Sequence, residues 1–355
     1  MEPFVGSAAV RTGRLTRRAL ARDHVAVYRN IYLPRDVELT ARLRAEAAWL
    51  ATGATLCGLS AAAVVGTKWL DASRPADILR ADRHAPPGIA VHAWDVSPDE
   101  VFLYGGVDAT IPARTAFDLG RTLPGNDAIP VLDALMNATR VSVADVQAIA
   151  AAHPDARGTA RLRGVLDLVD GGAESPQESW VRLILVRAGL PRPETQISFR
   201  DLRIRVDMGW RAWKVAVEYD GAHHWIDRRQ RAWDIDRIAL LEAADWSVVR
   251  SAVTCSTGRT SSSNVCARSC ASPAARSDTT VGVMHASDRV CVHNPHSRDS
   301  YRVCSGAGLR ASVATTLITA VTSRYAHAHH GDPPPAAISA VRIIGVTPEA
   351  KTPES

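Results

Sequence analysis

Apolar and polar residues alternate with a period of two in "RIRVDMG" (203–209) and again in "WKVAVEYDG" (213–221), the mark of half-buried strands. The "WRAW" between them is short enough for a hairpin turn, so an antiparallel pair is expected. Upstream, "SPQESWVRLILVRAGLPRP" (175–193) changes to a helical period, with Ser175 as N-cap, Pro176 at the first helical position and Glu178 at the third. Val181, Leu183, Ile184, Leu185 and Val186 form its buried face, and Gly189 and Pro191 stop it. Downstream, "RQRAWDIDRIALLEAADWSVVR" (229–250) predicts a helix with Trp233, Ile235, Ile238 and Leu241 inward, followed by a strand from Trp246 to Arg250.

Patterning elsewhere divides the chain into four parts. Residues 1–70 begin with "RTGRLTRRALARDHVAVYRNIYLP", a short helix capped by Thr16 with Leu20 and Ala21 inward, then a strand-like ribbon. The alanine- and leucine-rich "LRAEAAWLATGATLCGLSAAAVVG" follows as a helical segment. Residues 71–170 hold two short strands around a Pro-Pro-Gly turn in "PADILRADRHAPPGIAVHAW", then helices beginning at "IPARTAFDLGRTL" and "AIPVLDALMNATRVSVADVQAIAAAHP". Arg114, Asp118 and Arg121 are expected at an interface with the next module. "PDARGTARLRGVLDLVDGGAESP" reads as a helix and a link into residues 171–254.

Residues 255–355 have a different character. All nine tryptophans precede residue 250, five of the six cysteines follow it, and this tail holds two leucines. "TCSTGRTSSSNVCARSC" has no helical or strand period, so disorder is expected. A frameshift in the coding sequence is the preferred account, because the neighbouring frame can encode a segment with a proper helical period. The rival account is a genuine tail. Spacings among Cys255, Cys266, Cys270, Cys291 and Cys304 fit no zinc frame.

Composition narrows the partners. Of the formal charge of +5, the tail supplies +4, from 10 Lys/Arg against 6 Asp/Glu, which leaves +1 for the preceding 254 residues. Any nucleic-acid surface must then be a local patch, and Arg11, Arg14, Arg17, Arg18, Arg22 and Arg29 in the N-terminal segment supply one. No apolar run approaches membrane-spanning length and no N-terminal signal is evident, so a cytoplasmic address without membrane association is expected.

The chemistry concentrates in "VDMGWRAWKVAVEYDGAHHW" (206–225), which holds Asp207, Glu218, Asp220, His223 and His224. Antiparallel pairing sets Asp207 and Glu218 at neighbouring cross-strand positions, close enough to share a cation or to raise each other's pKa. A plainer reading has Asp207 and Asp220 flanking turns, Glu218 bridging Arg205 or Lys214, and Glu178 serving its capping box. Oxygen donors from Asp207, Glu218 and the Tyr219 carbonyl, with Glu178 reaching through water, suit Mg²⁺ or Mn²⁺. A neutral histidine could take a proton from water or give one to a leaving oxygen. His84, His92 and His153 lie at no ligand spacing and read as surface histidines.

The motifs "VDMGW" and "VAVEYDGAHHW" and the element order over residues 172–250 resemble the PD-(D/E)xK, restriction-endonuclease-like superfamily, in the branch similar to very-short-patch-repair endonucleases. The resemblance implies an α+β chain: a winged-helix-like and helical region, then a nuclease domain with a mixed central sheet flanked by helices. It assigns Asp207 and Glu218 to the motif's two acids and Glu178 to the helical Glu. Asp220 falls where the superfamily carries Lys, and His223 or His224 would substitute for it. Residues 8–70 resemble the winged-helix module of abortive-infection type antitoxins. Together these imply a metal-dependent DNA endonuclease, or else a non-catalytic DNA-binding regulator of antitoxin type. DNA is the expected partner, with a toxin protein or a homo-oligomer left open.

Overall fold

The computed structural model describes residues 2–82, 86–219, 228–251, 282–286, 289–293 and 300–304. It is an α+β chain in two compact units, Met1–Pro176 and Gln177–Ser355.

The first unit opens with β1 (Phe4–Val5), α1 (Gly6–Arg11), α2 (Arg17–Asp23), β2 (His24–Tyr28) and β3 (Ile31–Pro34). The strands form an antiparallel sheet in the order β1-β3-β2. Thr16 caps α2 as expected, its hydroxyl accepting the Ala19 N–H at 3.1 Å. Leu20 is half-buried but Ala21 is exposed, so the inward face of this two-turn helix is narrower than the sequence suggests. The β2–β3 turn is Arg29-Asn30, with Asn30 left-handed at φ 65°. Asn30 exchanges hydrogen bonds with Ser7, which ties the hairpin tip to α1.

The expected helical segment is two helices, α3 (Ala41–Thr52) and α4 (Gly58–Val64). Gly53 ends α3 in the left-handed region. Leu56 then bridges β4 (Ala76–Leu79) on one side and β7 (Val107–Thr110) on the other. β4 pairs with β5 (Ile89–His92), and β6 (Val101–Tyr104) pairs with β7. The strands about the Pro-Pro-Gly turn are parallel, not a hairpin, and residues 55–57 pair with the other edge of β4. Four helices follow: α5 (Pro112–Thr122), α6 (Gly125–Thr139), α7 (Val143–Ala152) and α8 (Thr159–Leu166). One apolar core contains Tyr28, Ile31, Ala45, Leu56, Ile78, Ile89 and Ala109, so residues before and after position 70 share it.

Inside this unit Arg114, Asp118 and Arg121 are buried, at 1%, 0% and 8% exposure, in one polar network. Their i,i+4 and i,i+3 spacing on α5 joins them at 2.8 and 2.7 Å. Arg114 also pairs with Glu100, and Glu100 with His153 at 2.6 Å. Burial opposes ionisation of Glu100, but hydrogen bonds from His153 and the Ser97 N–H, with the Arg114 charge, hold its carboxyl below the usual range. His153 is therefore a half-buried network member and not a surface histidine. His92 is similarly engaged, by Asp77 at 2.8 Å and by Trp94. His84 lies outside the described residues.

The second unit has α9 (Pro176–Arg187), β8 (Glu194–Phe199), β9 (Ile204–Trp210), β10 (Val215–Tyr219), α10 (Arg228–Ala243) and β11 (Ser247–Ser251). The sheet order is β11-β10-β9-β8, with β8, β9 and β10 antiparallel in sequence and β11 parallel to β10. The parallel return needs a crossover, and α10 supplies it. A single 3-10 turn, Arg211–Trp213, connects β9 to β10, with Lys214 left-handed at φ 49°. Gly209 allows the two strands to approach, since a Cβ there would lie on the Val215 carbonyl oxygen. Ile197, Ile204, Val206, Ala216, Leu241 and Val248 form the core. The inward placement of Trp233 and Ile235 falls outside the described side chains; Ile238 is half-buried and Leu241 fully buried.

Within residues 255–355, expected to lack order, three short strands are described: β12 (Gly282–Ala286), β13 (Arg289–His293) and β14 (Ser300–Cys304). They pair as an antiparallel meander. "TCSTGRTSSSNVCARSC" lies outside the described residues.

Candidate functional site

Strand register builds the site. β9 and β10 pair Val217 with Met208, so the next position sets Glu218 beside Asp207. On the other edge of β9, Thr195 faces Met208 and Ile197 faces Val206, which sets Gln196 beside Asp207. β11 sets Arg250 beside Glu218. The row across the sheet thus reads Gln196, Asp207, Glu218, Arg250. Alternation places Met208 and Val217 in the next row, and both are fully buried.

Each acid has a defined setting. Asp207 lies within β9, not at a turn, and its Oδ2 accepts the Tyr219 N–H at 2.8 Å. Glu178, on the first turn of α9, is 8% exposed and its Oε2 accepts from Gln196 Nε2 at 3.2 Å. Gln196 is held at φ 52°, a left-handed conformation unusual for a residue inside a strand. Glu218 is 3% exposed. Its Oε2 accepts from Arg237 Nη2 at 2.6 Å, while its Oε1 is buried without a hydrogen-bond partner among the described residues. The expected partners Arg205 and Lys214 are displaced: Lys214 pairs with Asp245 at 2.8 Å, and the Arg205 carbonyl accepts from Arg237 Nη1 at 3.2 Å.

Burial pushes the Glu218 carboxyl up from 4.5 to about 7, against the pull of Arg237; Asp207 adds to the rise and Arg250 opposes it. A carboxyl buried beside another acid, with one oxygen unsatisfied, is costly unless a cation answers it. Among the described residues no three His, Cys, Asp or Glu side chains converge on one ion position. Asp207 and Glu218 nonetheless form a hard oxygen pair, which fits a cation that keeps several waters and takes one or two carboxylates. The orphaned Oε1 of Glu218 is the atom such an ion would satisfy. Tyr219 ends β10 beside them.

Asp220, His223 and His224 lie outside the described residues. Gln196, Arg237 and Arg250 escaped the sequence reading. A signal existed for Arg237, which stands one helical turn before the buried Leu241 and so interrupts an apolar stripe.

At the other end of the chain, Arg11, Arg14, Arg17, Arg18 and Arg29 are all exposed. Arg11 ends α1, Arg14 lies in the connecting turn with its guanidinium 4.8 Å from the Phe4 ring centroid, and Arg17 and Arg18 open α2. Arg29 is at the hairpin tip. Arg22 is paired with Asp23 at 2.7 Å.

No helix among the described residues is long and apolar enough to cross a membrane. No family model matches the chain, and no solved structure matches it. The chain is 29% identical over 232 residues to uncharacterized proteins from two strains of Mycobacterium tuberculosis, an alignment covering 63% of this chain and 84% of each relative.

Proposed function

We propose that this chain is a metal-dependent DNA endonuclease of PD-(D/E)xK type, cytoplasmic, with the N-terminal helices and hairpin as a DNA-binding module. The observation that carries the reading is the cross-strand pair of Asp207 and Glu218, with a buried Glu218 carboxylate oxygen that has no hydrogen-bond partner among the described residues. Such a pair stabilises no apolar core, and its chemistry suits divalent cation binding.

In this reading Asp207 and Glu218 hold Mg²⁺ or Mn²⁺. When bound, the ion supplies charge stabilisation at a phosphoryl oxygen and a lowered pKa for water. The Tyr219 N–H fixes the orientation of Asp207, and Gln196 fixes Glu178 at the end of the same polar row. His223 or His224, adjoining β10 in sequence, is assigned the proton transfer that a lysine at position 220 would otherwise assist. The five exposed arginines of the N-terminal segment contact backbone phosphates and give sequence-independent affinity.

Two observations favour a second reading, a DNA-binding regulator with a silent nuclease fold: Asp220 replaces the lysine, and Arg237 already sits on Glu218. The test is incubation of the purified full chain with supercoiled and mismatch-containing DNA in Mg²⁺ or Mn²⁺, beside an Asp207→Ala/Glu218→Ala double variant. The nuclease reading expects cation-dependent strand breaks that the double variant lacks. Salt-sensitive binding without breaks would assign the regulator.

A further inference from the structure

Arg237 reaches the polar row from outside the sheet. One arm of its guanidinium, Nη2, donates to Glu218 Oε2 at 2.6 Å, and the other, Nη1, donates to the Arg205 carbonyl at 3.2 Å. Arg205 and Asp207 belong to β9 and Glu218 to β10, so one side chain of α10 ties the two acid-bearing strands together. A planar fork with separated donors can do this; an ammonium cannot span both acceptors with the same geometry. The guanidinium takes only one Glu218 oxygen. Among the described residues nothing partners the buried Oε1, in the row that contains Asp207.

We infer that Arg237 is a positioning residue for a divalent cation: it holds Glu218 through Oε2 so that Oε1 is the oxygen offered, with Asp207, to the ion. The inference rests on the nuclease reading and adds to it the residue that orients the second acid.

Two physical effects of Arg237 on ion binding oppose each other, and this makes the inference testable. As a nearby positive charge it repels a divalent cation, so on Coulombic grounds its removal tightens binding. As an orienting partner it fixes the ligand oxygen, and removing such partners weakens metal affinity by about 10- to 100-fold. The short bond and the two-strand tie make orientation the larger effect here.

The experiment is Mn²⁺ titration of the full chain followed by electron paramagnetic resonance, on wild type, Arg237→Gln, Arg237→Lys and Asp207→Asn, with each variant's melting temperature measured in the absence of metal. The expected result is Mn²⁺ dissociation constants weakened at least about 10-fold in Arg237→Gln, partly recovered in Arg237→Lys, and a melting temperature close to wild type in the lysine variant. Unchanged or tighter binding in Arg237→Gln overturns the positioning role and makes Arg237 a bystander or a competitor of the ion. If Arg237→Gln fails to fold, the lysine variant decides alone: affinity equal to wild type despite loss of the fork overturns the role. Absence of Mn²⁺ binding by wild type overturns the nuclease reading itself, a failure distinct from wild-type binding that Asp207→Asn abolishes but Arg237→Gln leaves intact.

Discussion

Glu218 concentrates the conflict between burial and charge. Its carboxyl titrates near 7 when folded and near 4.5 when unfolded. Between those values the folded chain keeps a proton that the unfolded chain has released, so stability must fall as pH rises from about 4.5 to about 7 and level off above. The loss is on the order of 3 kcal/mol, by about 1.4 kcal/mol for each unit between the two values. Chemical denaturation between pH 5 and 8 without divalent ions is expected to show this decline, and Glu218→Gln is expected to flatten it. An equal slope in the variant would place the titration elsewhere. The same residue shows what sequence could convey. That Asp207 and Glu218 are neighbours follows from alternation and a short turn, both local. That Arg237 and not Arg205 or Lys214 answers Glu218 depends on how α10 crosses the sheet, which no local period records.

Elements divide the same way. In the second unit the helix bearing Glu178, the strands bearing Asp207 and Glu218, the second helix and the strand after it were legible because each carries its own period and its own stop signals; the parallel direction of that last strand was not, since no local period records it. Leu56 was not, since a three-residue bridge between an alanine-rich helix and another has no period, and only Gly53 marks the break. Nor was the parallel pairing of β4 and β5, because strand direction leaves no mark in the local alternation of either strand. Arg114, Asp118 and Arg121 have the spacing of a solvated helix face; burial alone distinguishes their network. Two substitutions test the element-level account. Gly209→Val places a side chain against the Val215 carbonyl and is expected to cost at least about 2 kcal/mol, read by thermal unfolding. A smaller effect would mean that β9 and β10 approach less closely than described. Thr16→Ala removes the α2 cap and is expected to cost about 1 kcal/mol, observable as faster amide exchange at Ala19 than in wild type.

At the scale of the whole molecule, charge is nearly balanced before residue 255, so the proposed DNA binding assigns its affinity to the exposed N-terminal arginines as a patch. Replacing Arg14, Arg17 and Arg18 with Gln is expected to lower the slope of log affinity against log salt by about 0.9 for each phosphate that is no longer neutralised. Fluorescence anisotropy on a duplex across a salt series reads this directly. A slope unchanged by the triple replacement would move the DNA surface away from α1 and α2.

In the proposed function Asp207 and Glu218 form a divalent cation centre. Its most direct measurement is affinity cleavage: Fe²⁺ substituted for Mg²⁺, with ascorbate and peroxide, cuts the polypeptide beside the bound ion, and the fragments are mapped by mass spectrometry. Cuts confined to β9 and β10, suppressed by excess Mg²⁺ and lost in Asp207→Ala/Glu218→Ala, are expected if the two acids hold the ion. Cuts elsewhere, or cuts in β9 and β10 that neither Mg²⁺ nor the double substitution reduces, would contradict it.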